Sequence, residues 1–243
     1  MLILSVGMPR AGSGWYYNLT HDLALAAGAQ DARQIRRRYH LQRVLTEVNC
    51  NIGALSVPRL SIVLIPALLG NTFVIKAHSR PTPFALTFIR RGLIRPTYIY
   101  RDPRDAMLSA YEYGQRGLER GRSNPFSYLV DFDTSLRFMQ DYVRIWGEWM
   151  DCPQALHARY EDMLVDYENE ACRLVEFLGF DPNAPAVAAV IEKYRPQAPK
   201  RDTQGMHFNK GRTGRFREKM TAGQQAILAQ EFGPILEKMG YSI

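Results

Sequence analysis

Short apolar runs alternate with longer stretches of helical periodicity along this chain, the pattern expected of βαβ units that build a parallel sheet. Leu2–Val6, Thr72–Lys76, Thr97–Tyr100 and Ala155–Tyr160 read as strands. Apolar positions spaced by three and four predict helices over Tyr16–Ala27, Ala32–Val48, Pro83–Arg91, Pro103–Tyr113, Phe126–Met150, Asn169–Leu178 and Ala222–Met239. Gly28 and Gly92 follow two of these helices, where glycine commonly ends a last turn. The longest apolar region, Ile52 to Leu69, is interrupted by Pro58, Arg59 and Pro66, which argues against a membrane span. The expected fold class is α/β: a single domain over residues 1–243 with a central parallel sheet flanked by helices.

Composition narrows the picture. A chain of 243 residues with 46% hydrophobic content can bury one large core without a second domain. Its 31 basic and 24 acidic residues give a net charge of +7, which suits a polyanionic ligand, nucleic acid or an anionic surface. Cys50, Cys152 and Cys172 are odd in number and far apart, so neither a disulfide framework nor a zinc site is indicated, and a reducing cytoplasm is the expected location. The N-terminal apolar run is too short for a secretory signal and reads as a strand. Between Lys193 and Lys219 an irregular basic stretch, broken by prolines and glycines, is expected to form a mobile lid. The Arg36-Arg37-Arg38 run sits in a helical pattern as a solvated face.

Gly7-Met8-Pro9-Arg10-Ala11-Gly12-Ser13-Gly14-Trp15 stands between the first strand and the first helix. Small residues at that junction let backbone N–H groups approach an anion at the positive end of the helix, and Arg10 adds a fixed cation. Gly7 and Gly12 have the spacing of a nucleotide triphosphatase P-loop, but Ser13-Gly14 replaces the Lys-Ser/Thr that reaches the outer phosphates and Mg²⁺. A 5′-phosphate without a triphosphate fits better; an ordinary Gly-rich turn is the plain alternative.

Three further segments carry chemistry. In Tyr100-Arg101-Asp102-Pro103-Arg104-Asp105, Asp102 is placed to cap a helix with Pro103 at its first position. Arg101 then lies at a strand tip, and with Ser109 two turns into the helix it suits a grip on a phosphate. Lys76-Ala77-His78 leaves a buried strand, setting a cation beside an imidazole able to take a proton from a hydroxyl. Asn209-Lys210-Gly211-Arg212-Thr213-Gly214 suits a loop whose N–H groups fold over an anion.

Taken in order, these segments resemble the sulfotransferases that use 3′-phosphoadenosine 5′-phosphosulfate (PAPS). Pro9 to Trp15 is similar to the family's Pro-Lys-Ser-Gly-Thr-Thr-Trp loop, and Tyr160-Glu161-Asp162-Met163 and Phe177-Leu178-Gly179-Phe180 extend the resemblance across nearly the whole chain. It implies a P-loop-like sulfotransferase fold and transfer of a sulfuryl group from PAPS to an acceptor hydroxyl, or less readily an amine, releasing adenosine 3′,5′-bisphosphate. It further implies His78 as general base, with Arg10 and Lys76 countering charge on the bridging and sulfuryl oxygens. Cofactor contacts would come from Arg10, Ala11, Gly12, Ser13, Gly14 and Trp15 around the 5′ side, from Arg101, Ser109, Asn209, Lys210 and Gly211 at the 3′-phosphate, and from the aromatic faces of Trp15 and Tyr160 enclosing the adenine. Asn209 departs from the family's Arg, Ala77 from its Thr, and Arg215-Phe216 from its common Asp-Trp.

No metal-ligand set is visible in the sequence. The acceptor is expected to be a partly apolar small or lipid-like molecule, with Ile52–Leu69, Phe84–Ile89, Tyr111, Tyr113, Phe126 and Tyr128 as candidate walls and Arg33 with Arg36 to Arg38 as a possible anion-favouring edge. The family's short dimer motif survives only as Arg217, Thr221, Ala222 and Ala226, which leaves the oligomeric state open. Two other classes stay in view. A P-loop nucleotide kinase is disfavoured by the missing lysine, and a basic nucleic-acid-binding module by the lack of a groove-reading motif.

Overall fold

A computed structural model describes residues 1–196 and 213–243. Four parallel strands form one sheet in the order β2-β1-β3-β4: β1 (Leu2–Gly7), β2 (Phe73–Ala77), β3 (Ile94–Tyr100) and β4 (Leu156–Arg159). Every residue of β1 and β2 is buried, because both faces of the sheet are covered by helices and a parallel sheet has no wet side. Leu2, Leu4 and Val6 join one core with Phe73, Ile75, Tyr98 and Trp149, whereas Ile3, Val74 and Ile99 point to a second core on the opposite face. The α/β class, the parallel sheet and the places of all four strands agree with the sequence pattern.

The helices are α1 (Ser13–Ala26), α2 (Ala32–Arg38), α3 (Val57–Leu68), α4 (Pro83–Arg90), α5 (Pro103–Glu119), α6 (Phe132–Met150), α7 (Tyr160–Val165), α8 (Tyr167–Leu178), α9 (Pro185–Lys193), α10 (Phe216–Lys219) and α11 (Ala222–Lys238). Three expectations need correction. The helix expected over 32–48 stops at Arg38, since His40 takes a left-handed φ of 54° and Arg36 Nε reaches back to the Leu45 carbonyl at 2.8 Å. The helix expected from Phe126 begins at Phe132 instead. Residues 124–127 form a turn, with the Phe126 N–H donating to Asn124 Oδ1 at 2.9 Å, and Asp131 with Thr134 makes the reciprocal cap that opens α6. Ile52–Leu69, read as an interrupted apolar region, contains α3; Pro58 sits in the first turn, where a missing N–H costs nothing, and Pro66 falls in the last.

Chain order creates the crevice for the site. From β1 the chain crosses to β2 on one side, and after β2 it passes back to β3 on the other, so the segments leaving β1 and β3 diverge above the carboxyl ends of the sheet. Among the described residues no helix is long and apolar enough to cross a membrane.

Candidate active site

The loop between β1 and α1 is held in its shape by packing as well as by hydrogen bonds. Met8 N–H donates to the Ile99 carbonyl at 2.9 Å, tying the loop to β3. A Cβ on Gly7 would stand 2.7 Å from Ile99 Cγ2, so only glycine permits this approach of β1 to β3. Gly12 has φ 73° at the cap of α1, and a Cβ there would stand 2.7 Å from the Tyr160 ring. Arg10 is also left-handed, at φ 66°. Two such residues around Ala11 turn the chain sharply and leave the first N–H groups of α1 facing a cleft of about 500 Å³.

That cleft gathers most of the residues singled out in the sequence. Arg10, Gly12, Ser13, Gly14, Trp15, Lys76, His78, Arg101, Ser109 and Tyr160 all line it. Ala11 does not: its side chain is fully buried and its N–H donates to the Met8 carbonyl at 3.2 Å. Asn209, Lys210 and Gly211 lie outside the described residues, as does most of the stretch expected to form a lid.

His78 carries the clearest chemical poise. Its Nδ1 lies 2.6 Å from the Gly7 carbonyl oxygen, and a carbonyl can only accept, so Nδ1 holds the proton and Nε2 keeps its lone pair. Burial, and then the charge of Lys76, pull the imidazole pKa down to about 3, against a smaller opposing effect of the Gly7 bond. Lys76 is itself 93% shielded from solvent, at 7% exposure, and burial with the nearby charge of Arg10 lowers its pKa to about 8. A neutral base and a weakly held ammonium thus stand together at the end of β2.

At the end of β3, Arg101 lies over the Tyr160 ring at 4.8 Å and donates to the Arg10 carbonyl at 3.4 Å. Arg10 Nε donates to Ser109 Oγ at 3.2 Å, and its guanidinium lies 4.5 Å from the Tyr113 ring centroid. Trp15 stacks on Tyr167 at 5.9 Å and donates through Nε1 to the Tyr194 carbonyl at 3.0 Å. The acceptor side of the cleft is aromatic: Tyr113, Phe126 and Tyr128 line it as expected, joined by Phe138 and Tyr142, one turn apart on α6. Residues 52–69 and 84–89 do not line it, and Tyr111 opens instead on a separate small cavity beside Met107 and Phe132. Arg33 and Arg36 spend their side chains on the Val48 and Leu45 carbonyls.

Sequence reasoning passed over Arg215, whose guanidinium lines the cleft while making two bonds to Glu112 at 3.1 and 2.6 Å. Its departure from the family motif had marked it, but as a doubt. The donor set is one-sided: among the described residues four cationic side chains, Arg10, Lys76, Arg101 and Arg215, line the cleft, and no carboxylate does.

The sequence matches a known family. The sulfotransferase domain aligns with residues 2–241. The chain belongs to the sulfotransferase domain family. Among relatives, the amine sulfotransferase of Oryctolagus cuniculus is 22% identical over 191 residues, 66% of this chain and 64% of that protein. Sulfotransferase 1E1 of Mus musculus is 27% identical over 128 residues, 49% of this chain and 41% of that protein, so the sulfotransferase domain here spans less than two thirds of either relative. Mouse sulfotransferase SULT7A1, solved in complex with PAP, superposes with a TM-score of 0.60 at 16% identity, covering 97% of this chain and 84% of its own. Sulfotransferase STF9 from Mycobacterium avium gives a TM-score of 0.52 at 15% identity, with 100% and 77% covered. At such identities the structural likeness establishes the sulfotransferase fold.

Proposed function

We propose that this chain transfers a sulfuryl group from PAPS to a hydroxyl of a small, partly apolar acceptor, releasing adenosine 3′,5′-bisphosphate. The observation that carries the reading is the meeting, in one cleft, of two separated anion sites and a neutral imidazole. One anion site is the start of α1 at Gly12 to Trp15, the other is Arg101 with Ser109, and His78 presents Nε2 between strand ends. The four cations among the described lining residues fit a nucleotide with two separate anionic groups.

When bound, PAPS supplies an activated sulfuryl group on its 5′-phosphate. The chain's own residues do the rest by position and charge. Gly12, Ser13 and Gly14 hold the 5′ side against the helix N-terminus, Arg101 and Ser109 hold the 3′-phosphate, and Trp15 and Tyr160 flank the base. His78 Nε2 takes the acceptor's proton, and Lys76 and Arg10 counter negative charge near the transferred group. One relative is named for an amine acceptor, whereas the cleft here favours a neutral or anionic hydroxyl compound. Among the described lining residues an ammonium would meet four cations and no carboxylate, while the aromatic wall from Tyr113 to Tyr142 suits a planar or aliphatic body. Retinol dehydratase, a structural neighbour at 17% identity, is solved in complex with androsterone and inactive cofactor PAP. Three free cysteines, two of them buried, suit a cytoplasmic protein.

The test compares ligands. Adenosine 3′,5′-bisphosphate should raise the melting temperature while ATP with Mg²⁺ does not, and labelled PAPS should label phenols or alcohols in an acceptor screen. Stabilisation by ATP·Mg²⁺ alone would replace this reading with a kinase, and transfer confined to polysaccharides would overturn the acceptor class.

A further inference from the structure

Asp105 occupies the third position of α5 and is 2% exposed. A carboxylate so buried needs partners, and this one has three, the nearby Arg101 and two backbone N–H groups more than 100 residues along the chain. Its Oδ2 accepts from the Gly214 N–H at 2.6 Å and from the Arg101 guanidinium at 3.3 Å, and its Oδ1 accepts from the Phe216 N–H at 3.0 Å. Gly214 has φ 73°, and α10 starts at Phe216, so the two N–H groups belong to the turn that opens α10. The first turn of α5 also favours the negative charge. On its other side Arg101 rests against the Tyr160 ring, which leaves its guanidinium set between a carboxylate and an aromatic face.

We propose that Asp105 is a positioning residue for the nucleotide's 3′-phosphate. One carboxylate orients Arg101 towards the cleft and at the same time fixes residues 214–216, including the cleft-lining Arg215, against α5. An arginine held in one rotamer before binding loses less freedom when it grips a phosphate, so the contact is stronger for the same charge. Asp105 acts through Arg101, since both its oxygens are already engaged by protein donors. The inference rests on the nucleotide reading above.

Asp105→Asn keeps the shape and removes the charge. Calorimetry with adenosine 3′,5′-bisphosphate and with adenosine 5′-monophosphate gives the affinity ratio that the 3′-phosphate contributes. The variant should lose about ten-fold of that ratio, the effect of one weakened charge-assisted contact, while the monophosphate changes by less than about two-fold. An unchanged ratio in the folded variant, or equal weakening of both ligands, overturns the proposal. Because Asp105 is buried, a second measurement uses the native protein. Hydrogen exchange at the Gly214 and Phe216 amides should slow more with the bisphosphate than with the monophosphate, and equal slowing overturns the proposal as well. A native protein that binds the two nucleotides equally would overturn the nucleotide reading itself, and this inference with it.

Discussion

Lys76 gives the site a pH dependence that an ordinary lysine would not. Its ammonium, 7% exposed, has a pKa pulled down to about 8 by burial and by the charge of Arg10. At 1.36 kcal/mol per pKa unit, a fall from the model-compound value of about 10.4 amounts to roughly 3 kcal/mol against the charged form. Only the charged form counters negative charge on a transferred sulfuryl group. As pH rises through 8 the free enzyme therefore loses that cation, and kcat/KM, which reports groups of the free enzyme, should fall towards ten-fold per pH unit. Bound polyanion favours the ammonium, so kcat should hold to higher pH than kcat/KM. The sign for stability is opposite. Between pH 8 and about 10.4 the unfolded chain holds more of this proton than the folded one, so Lys76's contribution to stability rises with pH over that window while activity falls. Initial transfer rates from pH 6 to 10 at constant ionic strength, with melting curves in the same buffers, separate the two. Lys76→Arg stays charged throughout and should abolish the alkaline limb even where it lowers the rate. A kcat/KM flat from pH 7.5 to 9.5, or a limb that persists in Lys76→Arg, would refute the reasoning.

Two further substitutions probe the same cleft. Gly12→Ala forces a left-handed alanine, which costs roughly 1–2 kcal/mol, and sets a methyl 2.7 Å from the Tyr160 ring, which adds on the order of 1–3 kcal/mol of overpacking. Gly28→Ala, left-handed at φ 88° with open space around it, carries only the first cost. Urea melts should therefore place Gly12→Ala well below Gly28→Ala, and equal midpoints would show that Tyr160 does not constrain the loop. His78→Gln should lower turnover by on the order of 10²–10⁴ with nucleotide affinity nearly unchanged. It should also flatten the acid limb of stability: His78's pKa is lowered to about 3, so the native protein loses stability as pH falls from about 6.5 to 3, and the glutamine variant lacks that slope. Full turnover in His78→Gln would move the base elsewhere.

Much of this was legible in the sequence because its signals are local. The strands showed as apolar runs, and β1, β2 and β3 each end where a proposed motif begins, so Gly7 to Trp15, Lys76 to His78 and Arg101 fell at the carboxyl edge of the sheet without any three-dimensional information. Helix limits were less legible. The early stop of α2 depends on a side chain reaching a carbonyl nine residues on, and α7 and α9 are too short for periodicity to register. The Asp131-to-Thr134 cap was present in the sequence and marks the true start of α6, but the aromatic residues before it, Phe126 and Tyr128, extended the apolar pattern past it. Phe138 and Tyr142 were hidden for the converse reason, since aromatics four apart on a long helix look like core.

What sequence could not show are contacts whose partner is backbone or lies far along the chain. The tautomer of His78 is set by a carbonyl, Gly7 O, 71 residues away, and no side-chain motif encodes a carbonyl. Asp105 reads locally as a favourable acid in the first turn of α5, and its bonds to Gly214 and Phe216 exist only because the fold returns the C-terminal segment to that turn. These long-range ties divide the labour among neighbouring strands, which stand about 4.8 Å apart. In the proposed reading the ends of β1 and β3 carry the groups that would hold anions, and the end of β2 carries the imidazole that would take the acceptor's proton and the ammonium that would counter charge on the transferred group. Because Gly7 belongs to β1 and bonds His78 beyond β2, the proposed base is aligned by the strand whose loop would cradle the 5′ side. A disturbance of that loop should therefore reach turnover through the imidazole as well as through nucleotide affinity, whereas a disturbance at Arg101 should reach affinity alone.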